Sequence, residues 1–185
     1  MEKALEKKDY REVWGGFQAS QGVLLLNTAL TVERGKPGSH LNIWKPFTKD
    51  LIKKLITETT DVIWLLWGRP AQQLYDECWI ECMSYFDEIN NSLNFDYEEG
   101  MSHKRNSGIK ATTGYYINPE YSSVEDGNNL VKQKHTHISI KTSHPSPFSA
   151  NKQLSDCPSF IGSNCFSNCN KILSELGKKG IKWNI

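Results

Sequence analysis

The sequence predicts an α/β protein in which a short parallel sheet is flanked by helices. Two continuous apolar runs, Val23–Leu26 and Val62–Leu66, have the composition of strands that are buried on both faces. Between them, apolar residues recur at helical spacing from Trp44 to Ile56. Strand, helix and strand in this order predict a βαβ unit, which is typical of α/β sandwiches.

The later elements continue this pattern. A third run, His137–Ile140, is weaker and alternates, so we expect a strand nearer the edge of the sheet. For His135 and His137, which alternate along this strand, a solvated strand face is favoured over a metal site. Apolar residues return at helical spacing from Phe166 to Leu176 and stop at Gly177, which predicts a closing helix.

Residues 73–134 do not follow this alternation of apolar runs and helical spacing, and they are interpreted as a long insertion. Asp76–Asn90 is predicted to begin it as a helix, and turn-forming pairs such as Asn118-Pro119 and Asp126-Gly127 follow. The chain is therefore predicted to be one domain, residues 1–185, with an acidic insertion at about 73–134. A protein partner that docks at this insertion is left open.

Composition limits the class of protein. The chain has 185 residues, of which 38% are hydrophobic and 23% charged, and this excludes collagen-like and broadly disordered chains. No apolar run approaches the roughly 20 residues that span a bilayer, and the charged N-terminus lacks the core of a signal peptide. We expect an intracellular protein of the nucleus or cytoplasm, without a membrane partner, whose five cysteines are free thiols.

The small net charge of +1 hides an uneven distribution. Residues 1–75 carry a net charge of +3, residues 76–131 carry −8, and residues 132–185 carry +6. The two flanks are able to offer a positive surface to a polyanion, with the acidic middle turned away from it. The alternative interpretation, in which each block is an ordinary solvated face, stays open at this point.

Polar residues follow each of the three runs. Asn27 follows the first run, Gly68-Arg69 the second and His144 the third. In an open parallel sheet, ligands bind outside the carboxyl ends of the strands, so these residues are the candidate site. An amide reads a base edge, and an imidazole stabilises a developing anion. In the loop after His144, the rings of Pro145 and Pro147 restrict the backbone. The hydroxyls of Ser146 and Ser149 are suited to bind phosphate oxygens.

These residues carry a resemblance to a known family. The segment from Gln21 to Val32 resembles the uracil-binding strand of family-1 uracil-DNA glycosylases. Leu65-Leu66-Trp67-Gly68 is similar to that family's Gly-Ser loop, and His144-Pro145-Ser146-Pro147 to its DNA-intercalation loop. The resemblance covers about residues 21–72 and 135–185, and it implies the α/β/α sandwich of these enzymes without its N-terminal strand.

The resemblance implies roles for individual residues. Asn27 would hydrogen-bond the uracil edge, and His144 would donate to uracil O2 and stabilise the uracil anion. Phe148 stands where the family usually has a leucine wedge, and Arg69 where it has serine. No metal or organic cofactor is implied. The residues that would pinch the DNA backbone are Gly68, Arg69, Pro145, Ser146, Pro147, Phe148 and Ser149.

One departure concerns the water-activating motif G-Q-D-P-Y-H, which is absent from this sequence. The strand that carries it in the family lies between the two apolar runs, which would lose their neighbour without it. Ala111–Ile117 is the best candidate for a substitute strand. No spacing favours Asp61, Asp96 or Asp126 as a replacement base.

The predicted function is hydrolysis of the N-glycosidic bond of uracil in DNA, which starts base excision repair. The expected partner is single- or double-stranded DNA that contains uracil, and the expected state is a monomer. Two alternatives remain: a non-catalytic DNA-binding or interaction protein derived from this fold, or an incomplete fragment.

Overall fold

The computed structural model describes residues 10–92, 100–103, 109–116 and 133–183. The helices in these residues are α1 (Tyr10–Ala19), α2 (Leu41–Glu58), α3 (Arg69–Ser92) and α4 (Cys165–Glu175). The strands are β1 (Val62–Trp67), β2 (Gly100–His103), β3 (Ile109–Tyr116) and β4 (Gln133–Thr142). Two compact units are present, 10–27 with 166–183 and 28–165. The single domain stays a prediction.

The four strands form one mixed sheet in the order β1-β4-β3-β2. β1 and β4 are parallel, with Val62 opposite His137 and Trp67 opposite Thr142. β3 runs antiparallel to β4, and β2 antiparallel to β3. The predicted α/β class with a short parallel sheet is therefore confirmed, with β1 and β4 as the parallel strands, and the insertion adds an antiparallel hairpin to the same sheet.

The predicted helix between the first two runs is confirmed as α2. Its buried residues, Thr48, Ile52 and Ile56, lie four residues apart and so form one stripe. α3 buries a matching set that consists of Leu74, Tyr75, Cys78, Trp79 and Cys82. On the outer surface, lysines of α2 pair with Glu77 and Glu81 of α3 and join the two helices.

The predicted strand at Val23–Leu26 was wrong. These residues have no regular secondary structure, and the side chains of Leu24 and Leu25 are 61% and 49% exposed. The first strand of the predicted βαβ unit is therefore absent. An apolar run forms a strand only where a neighbouring strand accepts its backbone hydrogen bonds, and no described strand pairs with this run.

The predicted edge position of the third run was also wrong, because β4 lies between β1 and β3. Its alternating polar residues are buried and hydrogen-bonded. His137 is fully buried: the Trp64 indole N–H donates to its Nδ1 over 3.1 Å, and its Nε2 lies 3.1 Å from the Ile56 carbonyl oxygen. A solvated histidine was expected here, but this one is a core residue that links β1, β4 and α2.

The insertion forms the predicted helix and strand. The expected helix at Asp76–Asn90 lies within α3, and the expected strand at Ala111–Ile117 corresponds to β3. However, β3 pairs with β4 on the side away from β1, so it does not replace the strand expected beside β1. The predicted turns at Asn118-Pro119 and Asp126-Gly127 lie outside the described residues.

In the unit formed by 10–27 and 166–183, the predicted closing helix is confirmed as α4. Gly177 follows its end with a positive φ of 69°, as expected of a helix stop. The Asn170 side chain donates to the Ile181 carbonyl and accepts from the Ile181 amide, each over 2.9 Å. Phe166 and Trp183 pack with ring centroids 4.7 Å apart, which closes the C-terminal segment onto α4.

Candidate active site

The carboxyl ends of β1 and β4 lie side by side and bring two of the predicted site segments together. Trp67 is in register with Thr142, and the Gly68 amide donates to the Thr142 carbonyl over 2.9 Å. The residues that follow, Gly68-Arg69 and Ser143-His144, therefore share one edge of the sheet. This edge is where ligands bind in open parallel sheets.

Gly68 provides the space for the His144 side chain. Its φ is +83°, a conformation that L side chains rarely adopt. A Cβ atom added at this position would lie 3.1 Å from the His144 Cβ and 3.4 Å from its Cδ2. The absence of a side chain therefore lets the imidazole pack against the turn that ends β1.

The backbone fixes which ring nitrogen of His144 carries the proton. The Ser146 amide donates to Nδ1 over 3.1 Å, so Nδ1 is the acceptor. In the neutral imidazole the proton then lies on Nε2. Because His144 is exposed, this Nε2–H is available as a hydrogen-bond donor to a ligand at the strand ends.

The loop after His144 is a tight turn whose two ends are held by hydrogen bonds. The amides of Ser149 and Ala150 both donate to the Ser146 carbonyl, over 2.9 and 2.8 Å. The Ser143 hydroxyl donates to the Ser149 carbonyl and accepts from the Phe160 amide, each over 2.9 Å. Ala150 is buried, whereas Phe148 at the tip is 86% exposed.

Gln72 holds the two strand ends together from the first turn of α3. Its side-chain amide donates to the Thr142 carbonyl over 2.8 Å and to the Leu66 carbonyl over 3.3 Å, and it lies 3.6 Å from the Cys157 sulfur. The residue is buried. Sequence reasoning missed this role, although a glutamine one helical turn after a strand-ending glycine was a usable signal.

Arg69 follows Gly68 and pairs with a residue that sequence reasoning did not single out. Its two Nη atoms contact the two carboxylate oxygens of Asp156, each over 2.8 Å, and Nη2 also donates to the Ser155 hydroxyl over 3.2 Å. This hydrogen bonding raises the pKa of Arg69 and lowers the pKa of Asp156. The guanidinium thus already has an anionic partner within the protein.

Asn27 belongs to the compact unit formed by 10–27 and 166–183, which does not include His144. Asn27 is exposed and ends the irregular segment that begins at Val23. That segment is anchored at its start, where the Val23 amide donates to the Gln18 carbonyl over 3.1 Å.

Of the three candidate acids, the structure describes Asp61. Asp61 precedes β1 and so lies at the opposite end of that strand from Gly68. Asp96 and Asp126 lie outside the described residues. Within the part of the chain that the structure describes, His, Cys, Asp and Glu form no cluster of three able to hold a metal ion. No described helix is long and apolar enough to cross a membrane.

Comparison with known proteins decides the family. The family model of the uracil DNA glycosylase superfamily matches residues 3–174, which is most of the chain. The chain belongs to the uracil DNA glycosylase superfamily. The resemblance of the strand-end motifs to this family is thereby confirmed, and so is the predicted glycosylase-like α/β fold.

Curated relatives of this glycosylase-family chain agree. It is 31% identical over 168 residues to the uracil-DNA glycosylase of Mycoplasmopsis pulmonis, covering 90% of this chain and 49% of the relative. It is 32% identical over 168 residues to the enzyme of Alkaliphilus metalliredigens, covering 90% and 48%. The chain therefore spans about half the length of these relatives.

A solved structure shows the same fold. Mimivirus uracil-DNA glycosylase superposes with a TM-score of 0.56 at 22% identity, covering 92% of this chain and 46% of the viral protein. The shared region places this chain's helices and sheet in the glycosylase fold.

Proposed function

We propose that this chain acts as a uracil-DNA glycosylase, hydrolysing the N-glycosidic bond of uracil in DNA and so starting base excision repair. The observation that carries the proposal is the state of His144. The turn after β1 and the Ser146 amide hold its imidazole with the Nε2–H directed away from its backbone partner. An N–H donor at this edge is suited to an oxygen that gains negative charge.

The proposed reaction begins with base flipping, because the glycosidic bond of a stacked base is out of reach. Phe148, apolar and 86% exposed at the tip of a firmly anchored turn, is the proposed wedge that fills the space left in the stack. The hydroxyls of Ser146 and Ser149, with the backbone at Gly68 and the rings of Pro145 and Pro147, are the proposed contacts to the DNA backbone.

In the chemical step, the bond between uracil N1 and the sugar breaks, and its electron pair leaves with uracil. The sugar becomes an oxocarbenium ion, and the uracil anion places charge on O2, to which His144 Nε2–H donates. Asn27 is proposed to read the uracil edge through its amide and to exclude cytosine. Water then adds to the sugar carbon and releases its proton to solvent, and the uracil anion takes up a proton from solvent, so the products are an abasic sugar and neutral uracil. The motif that carries the general base for this step in the resembled family is absent from this sequence.

The proposal extends to partners and place. Single- or double-stranded DNA containing uracil is the proposed substrate, and an intracellular location, nucleus or cytoplasm, follows from it. We propose that the chain acts as a monomer. The acidic insertion, which contributes β2 and β3 to the far side of the sheet, is the proposed place for a protein partner.

Uracil release from a single-stranded oligonucleotide tests the proposal directly. We expect His144→Leu to lower release by about 10²-fold or more, as expected for removal of one donor to a developing anion. Asn151→Leu adds the same side chain at the exposed end of the same turn and should leave release unchanged. Release from the wild-type chain that does not exceed that of His144→Leu would overturn the proposal and favour a DNA-binding protein without catalysis.

A further inference from the structure

We propose that Asp156 is a positioning residue that holds the Arg69 guanidinium in an ion pair, which we call the clamp. The clamp is part of a ring of contacts that positions His144, so Arg69 orders the site and does not bind a DNA phosphate. This inference rests on the proposed function for its effect on uracil release. The clamp itself rests on the contacts of Arg69, on the segment that carries Asp156, and on the charge of the pair.

Arg69 and Asp156 form a bidentate ion pair. Each Nη atom of Arg69 lies 2.8 Å from a different oxygen of the Asp156 carboxylate, and the Ser155 hydroxyl accepts a third hydrogen bond from Nη2. A guanidinium fork that matches a carboxylate in this way fixes direction as well as distance. Both groups are accessible, with 41% and 52% of their side chains exposed, so DNA would meet the pair as a unit.

The segment that carries Asp156 also holds the start of the His144 loop. The Ser143 amide donates to the Pro158 carbonyl over 3.0 Å, two residues beyond Asp156. Next to Arg69, Gly68 packs against the His144 side chain. The contacts therefore form a closed ring that runs from Gly68 through Arg69, Asp156, Pro158 and Ser143 to His144.

A second contact runs parallel to this clamp. Gln72, one helical turn after Arg69, contacts Cys157, the residue after Asp156. The first turn of α3 thus holds two successive residues of the same segment by side chains of different chemistry. Gln72 is buried, whereas the Arg69–Asp156 pair lies at the surface, where the clamp faces an approaching ligand.

The charge of the pair distinguishes a clamp from a phosphate contact. A phosphate contact made by a cation releases counterions and contributes roughly 0.7 to the slope of log affinity against log salt for a single strand. A guanidinium neutralised by its own carboxylate contributes close to nothing to this slope. Removing both partners together should therefore leave the salt dependence of DNA binding unchanged.

The experiment uses the full chain, uracil release, and binding of a uracil-free single-stranded oligonucleotide at several salt concentrations. In Arg69→Ala/Asp156→Ala we expect an unchanged salt slope and about tenfold slower release. In Asp156→Asn we expect a slope steeper by roughly 0.7, tighter binding at low salt and about tenfold slower release, because Arg69 is freed for phosphate while the ring opens. Asp156→Glu, which keeps the pair, should stay within about threefold of wild type in both measurements.

Opposite changes in binding and release are the signature of the clamp, since a variant that merely unfolds loses both. A loss of roughly 0.7 from the slope in the double alanine variant would overturn the proposal, because Arg69 would then be a phosphate contact. Unchanged binding and release in Asp156→Asn would also overturn it. Glu58→Gln is the matched control: it removes an exposed carboxylate that pairs with Lys54 at the end of α2, and should change neither.

The test separates failure of the clamp from failure of the proposed function. If wild type releases no uracil, the glycosylase proposal fails, and the salt slopes still decide the clamp. If wild type binds no DNA, exchange of the Ser143 amide hydrogen decides it. Faster exchange in Asp156→Asn than in wild type supports the clamp, and equal exchange rates overturn it.

Discussion

Two apolar runs of similar composition have opposite outcomes in this chain. Val62–Trp67 forms β1, pairs with β4 along its whole length and places Gly68 at an ordered strand end. Val23–Leu26 has no regular structure, and Leu24 is 61% exposed. Both runs end in a polar or glycine residue that is predicted to belong to the site. The difference lies in what each run finds to pair with.

The backbone explains this contrast. Each amide and carbonyl of a strand needs a partner, and β4 supplies these partners to β1. Gln72 then satisfies the carbonyls of Leu66 and Thr142 at the strand ends. Among the described residues, the backbone hydrogen bond of the first run lies at its start, where the Val23 amide donates to the Gln18 carbonyl. The apolar composition of a run thus indicates that burial of its side chains is favourable, but backbone hydrogen bonding to a neighbouring strand decides whether the run forms a strand.

Truncation of one leucine in each run is the strongest test of the contrast. Leu66 is 7% exposed and Leu24 is 61% exposed. Leu66→Ala should lower the free energy of unfolding by roughly 2–5 kcal/mol, because it leaves a cavity. Leu24→Ala should change it by less than about 0.5 kcal/mol. Urea titrations of both variants measure this, and equal losses would show that both runs are packed alike.

The strand-end amide provides the next test. Replacing Gln72 by methionine keeps the length of the side chain and removes the donor to Thr142 and Leu66. The Thr142 carbonyl keeps the Gly68 amide as a donor, so the variant loses the hydrogen bonds of the glutamine amide, which contribute about 0.5–1.5 kcal/mol each. We expect a urea midpoint lowered accordingly, and Gln73→Met on the exposed side of the same helix should have no such effect. An unchanged midpoint in Gln72→Met would mean that the strand ends hold without this residue.

Two glycines allow a matched comparison of the regions. Gly22, just before the irregular run, and Gly68, after β1, both have a φ of +83°. Alanine at either position should cost about 1–2 kcal/mol of backbone strain. Only at Gly68 does the added Cβ meet another side chain, that of His144. We expect Gly68→Ala to lower the free energy of unfolding more than Gly22→Ala does, and to slow uracil release. Equal losses would show that the His144 side chain moves away from the added Cβ at no cost in stability.

The smallest expected effect concerns the ion pairs between α2 and α3. Hydrogen bonds from Lys49 and Lys53 lower the pKa of Glu81 to about 2. A lowered pKa in the folded state means that the stabilisation is complete above the ordinary pKa of 4.5 and is lost as pH falls through about 2.

The difference in urea midpoint between wild type and Glu81→Gln should therefore be constant from pH 7 to about 5 and vanish near pH 2. Glu175→Gln is the control, since that carboxylate lies 4.0 Å from Lys171 in a single exposed pair. A difference for Glu81→Gln that does not change with pH would show that the lysines do not act through its charge.

Much of the fold was predictable from local pattern. The stripe of α2, the stop of α4 at Gly177 and the run of β1 each follow from residues close in sequence. Two features were not. The order β1-β4-β3 depends on pairings between residues far apart in the chain, so β4 was assigned to an edge. The fate of the first run depends on a partner strand, which composition does not reveal.

The candidate site divides in the same way. Gly68 and His144 were predicted from their positions after two strands, and parallel pairing brings them into contact. Asp156 was missed because nothing near it in sequence marks it as the partner of Arg69, 87 residues away. Phe148 was predicted by resemblance, and its exposed position at the loop tip agrees with a wedge, which stays a prediction.

The tautomer of His144 shows whether the ends of β1 and β4 hold this imidazole ready to donate from Nε2. Nitrogen-15 NMR of the histidine rings at pH 8.5, where histidine is ordinarily neutral, distinguishes the two nitrogens. We expect one dominant form, with the proton on Nε2 and Nδ1 accepting from the Ser146 amide. A proton on Nδ1, or an even mixture of both tautomers, would contradict it.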